Sequence, residues 1–122
     1  MNHSINNRKN VARMEKKQRK TDAGYVHALF PDVSSIIISM EYHQKGIKQT
    51  MPRTVNFFPS CYAYFRIDCL NSECHDGGFD FSRIISTMVA DHKKMSKGEF
   101  ACQGNLSPDH SAVDYEVAIQ YA

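Results

Sequence analysis

Cysteine and histidine are the side chains of this 122-residue chain best suited to holding a metal or exchanging electrons. Cys69 and Cys74 share with His75 a stretch that ends on Gly77-Gly78, and Cys102 and His110 follow beyond a helix-like span. Zinc takes four such ligands tetrahedrally, and a gap of four residues is the outer limit of ordinary knuckle spacing. Cys69, Cys74, Cys102 and His110 are therefore the candidate zinc ligands, with His75 competing for the fourth place. The pattern departs from a paired knuckle. No Cys-x2-Cys occurs, and the seven residues between Cys102 and His110 exceed a tight turn. A thiol redox couple of Cys69 with Cys74 is the rival chemistry.

Other constellations carry less. Cys74-His75-Asp76 makes no nucleophilic relay, because adjacent side chains diverge and a catalytic Cys and His normally lie far apart in sequence. Gly77-Gly78 could admit an anion at a helix N-terminus, but it lacks the rest of a phosphate loop and has Asp76 and Asp80 beside it. It reads as a turn. Cys61 shares a strand face with Cys69 at a separation of about 26 Å, and is expected to be a small core residue. No catalytic residue is assigned, and the chain is expected not to be an enzyme.

The elements that must position these residues come from periodicity. Residues 33–42 alternate as a strand, with Ile36, Ile38, Met40 and Tyr42 on one face and Ser35, Ile37, Ser39 and Glu41 on the other. A turn at 43–46 leads into a polar arm, 47–54, where Pro52 argues against a central strand. Residues 55–69 read as a second strand region, bent or edge-placed at Pro59. Its core face is Cys61, Ala63, Phe65, Ile67 and Cys69, and its outer face is Tyr62, Tyr64, Arg66 and Asp68. Phe81, Ile84, Ile85, Met88, Val89 and His92 follow helical spacing, with Asp80 as the cap and Gly98 beyond the end. His92 on that stripe reads as a packed residue near the helix C-terminus. A short strand over 99–102 and a last strand over 113–121 complete the chain, the last with Val113, Tyr115, Val117, Ile119 and Tyr121 inward. If the helix is a crossover, strands 55–69 and 99–102 run parallel. Cys69 and Cys102 then end at one sheet edge.

Charge divides the chain in two. Residues 1–24 hold Arg8, Lys9, Arg13, Lys16, Lys17, Arg19 and Lys20 against Glu15 and Asp22, a balance of +5, and the remainder balances at −3. Beyond Met1, only Ile5, Val11 and Met14 in that basic segment are large and apolar, and isolated helices of this length are marginal in water. The segment is expected to be a disordered tail or a fraying helix, closed by Gly24.

These features predict an α+β fold over 25–122. It is a mostly antiparallel sheet of three or four strands, with one amphipathic helix on one face and a disordered basic tail in front. The expected role is a small non-enzymatic binding module, zinc-stabilised, with nucleic acid or a ribonucleoprotein as partner through the basic tail. The acidic neighbours of Tyr62 and Tyr64 on the presumed outer face (Glu41, Asp68, Asp114 and Glu116) argue against base stacking there. A protein partner or a second copy meeting Tyr62 and Tyr64 is the first alternative, and a thiol redox protein the second. No apolar run is long enough to span a membrane, and the polar start lacks a secretory h-region. The expected compartment is the cytoplasm, where thiols stay reduced.

Overall fold

The computed structural model describes residues 14–69, 78–102 and 111–122. Three helical segments occur among them: α1 over 14–23, α2 at Val26–Leu29 and α3 at Ser82–Ala90. The strands are β1 (Val33–Gln44), β2 (Met51–Phe57), β3 (Arg66–Asp68), β4 (Gly78–Asp80), β5 (Met95–Ala101) and β6 (Ser111–Tyr121). Four of them form an antiparallel sheet in the order β2-β1-β6-β5, and β3 pairs with β4 in a separate antiparallel ribbon. The fold is α+β, and its principal sheet is antiparallel throughout the described residues.

Alternation in β1 and β6 builds the core. Ile36 lies opposite both Phe57 and Ile119, and Ile38 opposite both Val55 and Val117. Ile36, Ile38, Met40, Tyr42, Val113, Val117 and Ile119 are all buried, as their period-two spacing requires. The second layer lies on this inner face. Phe79 of the ribbon meets Tyr42 and Phe100 edge-on, at 6.3 and 6.0 Å between ring centroids. Phe81 meets Tyr115 at 5.3 Å, ahead of the helical stripe Ile85 and Met88. Aromatic edges against faces are the favoured geometry for such contacts.

Several boundaries differ from the sequence expectation, each for a local reason. Residues 55–69 are not one strand. β2 starts at Met51 and runs as the sheet edge, where Pro52 opposite Glu41 loses no interior hydrogen bond. Beyond Phe57 the chain bends through Pro59 and returns, so that the Phe57 and Phe65 rings meet edge-on at 4.9 Å. The strand expected over 99–102 is the longer β5, antiparallel to β6. The parallel pairing with 55–69 is thus replaced by two sheets. The split leaves the face assignment intact: Ala63, Phe65 and Ile67 are buried, and Tyr62, Tyr64, Arg66 and Asp68 are not.

The ends of α3 are also displaced. Phe81 is the N-cap residue, and the Asp80 carboxylate one place earlier accepts the Ser82 N–H at 2.9 Å. His92 does not continue the helix. It takes φ 53, while its N–H donates to Val89 O and the Lys93 N–H to Met88 O. Those two bonds form a Schellman motif with histidine in the left-handed position usually given to glycine. The His92 ring compensates by stacking on Tyr121 at 3.9 Å, and the Tyr121 hydroxyl donates to Lys93 O. Gly98 lies inside β5, where the Tyr115 ring covers it.

Gly78 opens β4 with φ 153, and a Cβ there would lie 2.6 Å from the Ile67 carbonyl oxygen. The obstacle is backbone, so it cannot move aside. Gly78→Ala is expected to cost about 2–3 kcal/mol through strain and a disturbed ribbon. Urea denaturation measures it, and a loss below about 0.5 kcal/mol would contradict this close approach.

Candidate functional site

Two places bring chemically useful side chains together. The first is the corner where the ribbon meets the start of β6. Tyr42 leaves β1 on the inner face, and its hydroxyl lies 3.5 Å from Cys69 Sγ. Cys69 Sγ is also 3.2 Å from the Ser111 hydroxyl. The Cys102 N–H donates to the Ser111 carbonyl at 3.1 Å, so Ser111 joins the two cysteine-bearing segments. The Tyr42 hydroxyl is pushed up to about 12, by burial first and then by its hydrogen bond to Cys69. The Ser111 hydroxyl opposes that shift, while negative charge on Cys69 or Cys102 would add to it. Cys102 is buried and Cys69 half-buried.

Cys69 and Cys102 thus share a corner, although the parallel strands expected to bring them there do not exist. Cys74, His110 and the competing His75 lie outside the described residues. Among the described residues no group of three or more His, Cys, Asp or Glu side chains is placed to hold a metal ion. Cys61, expected as core, packs half-buried against the core cluster. Tyr42 and Ser111 were not singled out by the sequence. Their one signal was position, on the core face of β1 and just before the last alternating run.

The second place is the strip 59–68, along which the N-terminal segments run antiparallel. Lys16 of α1 pairs with Asp68, and the Lys20 ammonium lies 6.0 Å from the Tyr64 ring centroid. The Ala63 N–H donates to Gly24 O at 2.7 Å, and Tyr25 bridges to Tyr62. The Val26 N–H then donates to Cys61 O, and the His27 N–H to Pro59 O. Residues 14–23 are helical, the second of the two states expected for this part of the basic segment, and two side-chain contacts join the helix to the strip. The two side-chain contacts are exposed and contribute at most about 1 kcal/mol each. Residues 1–13, with Arg8, Lys9 and Arg13, lie outside the described residues.

Beside α1 lies an aromatic stack. Tyr25 is parallel to Tyr62 at 4.8 Å between centroids, and to His27 at 5.3 Å. Tyr25 and Tyr62 are 43% and 36% exposed, so the stack faces solvent. Its hydroxyl neighbour Tyr62, by hydrogen bond and charge, raises the Tyr25 hydroxyl above the ordinary phenol value. Tyr62 and Tyr64 belong neither to the four-stranded sheet nor to its acidic outer face. Glu41, Asp114 and Glu116 occupy that face, where Asp114 pairs with His43 at 2.7 Å. Of the acidic neighbours expected around the tyrosines, only Asp68 shares their strip, and Lys16 is paired with it.

Comparison with protein-family models, with curated proteins and with solved structures finds no match to this chain. Among the described residues, no helix is long and apolar enough to cross a membrane.

Proposed function

We propose that this chain is a small non-enzymatic binding module that takes nucleic acid, or the nucleic acid of a ribonucleoprotein, through its basic N-terminal segment. One observation carries the reading: α1 presents exposed Lys17, Arg19 and Lys20, the last over the Tyr64 ring, and leads directly into an exposed aromatic stack at Tyr25. Phosphate contacts of this kind release counterions, so affinity falls with salt in proportion to the phosphates neutralised. Arg8, Lys9 and Arg13 extend the same charge. Binding of a labelled oligonucleotide across a salt series tests the reading, and a steep logarithmic slope is expected. Salt-independent binding would contradict it.

The corner of Cys69 and Cys102 supports a structural role for metal. With Cys74 and His110, or His75, the two would complete a tetrahedral zinc site that ties the β3–β4 ribbon to β6. The reading places the chain in a reducing compartment, the cytoplasm. Exposed Leu29, Phe58 and Tyr62 favour a second reading, a protein partner or a second copy meeting the Tyr62 and Tyr64 strip. Sedimentation of the full chain separates the two, since a second copy would show as concentration-dependent mass without nucleic acid.

A further inference from the structure

We infer that the nucleic acid this segment takes is single-stranded, with an unpaired base stacked on the Tyr25–Tyr62–His27 rings. The inference deepens the nucleic-acid reading and rests on it. A duplex presents phosphates but keeps its bases paired inside, so α1 alone would suffice to hold one. The rings need a different ligand. Flat, exposed aromatic faces beside a cationic track are the combination that holds single strands, since every base has a π-face and every linkage a charge.

Placement favours that combination here. Residues 16–27 run along the strip 59–68 in one direction, from the Lys16–Asp68 pair through Lys20 over Tyr64 to Tyr25 on Tyr62. Lys17 and Arg19, two positions apart, stand on opposite sides of α1. It is Lys20 over Tyr64 that carries positive charge along the strip, so a phosphate held there is led toward the ring stack at Tyr62. Tyr25 is stacked on both Tyr62 and His27, at 4.8 and 5.3 Å, so the plane a base adds to is the outer face of Tyr62 or of His27, already held in place by the ring behind it. The backbone beneath them is fixed by the Gly24–Ala63 and Val26–Cys61 hydrogen bonds.

The test uses the full chain with a fluorescein-labelled oligothymidylate and a duplex of equal length, each titrated across a salt series. The single strand is expected to bind about tenfold or more tightly than the duplex. Tyr62→Ala and Tyr25→Ala should each weaken single-strand binding by about tenfold while leaving the salt slope unchanged. Tyr62→Phe keeps the ring and should keep the affinity, and His27→Ala probes the far ring if either tyrosine variant fails to melt cooperatively. Equal, salt-dependent binding of both probes, unaffected by the ring variants, overturns the stacking inference and leaves the phosphate reading standing. No binding of either probe at low salt overturns both.

Discussion

Phe81→Ala is expected to lower the stability of the chain by about 3–5 kcal/mol, a large share of the roughly 5–15 kcal/mol typical of native proteins. Phe81 has no exposed surface. Its ring touches Tyr115 on β6 and Phe100 on β5, at 5.3 and 5.5 Å between centroids. It is also the N-cap residue of α3, its N–H donating to Phe65 O and its carbonyl accepting from Ile85. One residue therefore joins helix, sheet and the returning segment, its ring meeting the sheet and its backbone the other two. Alanine would keep the backbone bonds but leave a cavity among rings that cannot all collapse. Chemical denaturation measures the loss. A change below about 1 kcal/mol would show that α3 does not pack through Phe81.

Removal of zinc is expected to have the largest effect if the cysteine corner is a metal clip. Structural zinc contributes roughly 10–16 kcal/mol of apparent binding free energy in small metal-dependent peptides, all of it available to folding. Protein purified without chelator should carry one zinc per chain, and a strong chelator should lower its melting temperature sharply. Cys69→Ser and Cys102→Ser should each lose the metal. Cys61→Ser should retain it, because Cys61 belongs to the segment bonded to Val26 rather than to the Ser111 corner. Metal-free protein with an unchanged melt would sink the clip. A Cys69–Cys74 disulfide that formed and reduced reversibly near cytosolic potentials would point to thiol exchange instead.

What could be read in advance followed from regular periods. The alternation of Ile36, Ile38, Met40 and Tyr42 predicted the inner face of β1, and the spacing of Phe81, Ile85 and Met88 predicted the buried stripe of α3. The break inside 55–69 was harder to read. Alternation continues on both sides of Pro59, and nothing local says that the second half leaves the sheet to pair with β4. Strand partners are chosen by tertiary contacts such as Phe57 with Phe65, which leave no periodic trace. The expected approach of Cys69 to Cys102 rested on parallel strands, and the described strands are antiparallel. Both residues end their segments near Ser111, so the expectation and the structure share an end point but not a route. The aromatic stack was missed because 25–30 is too short to show a period. Tyr25 and His27 acquire meaning only beside Tyr62, 37 and 35 positions away.

The basic segment is the proposed ligand-binding element, and one measurement tests that role directly. The dissociation constant for a labelled oligothymidylate is determined across a salt series, for the full chain and for the chain lacking residues 1–24. The full chain should bind with an affinity that falls steeply as salt rises, and the shortened chain should lose most of that binding. Equal weak binding by both, with the same shallow salt dependence, would contradict that role and leave the positive charge of residues 1–24 as an aid to solubility.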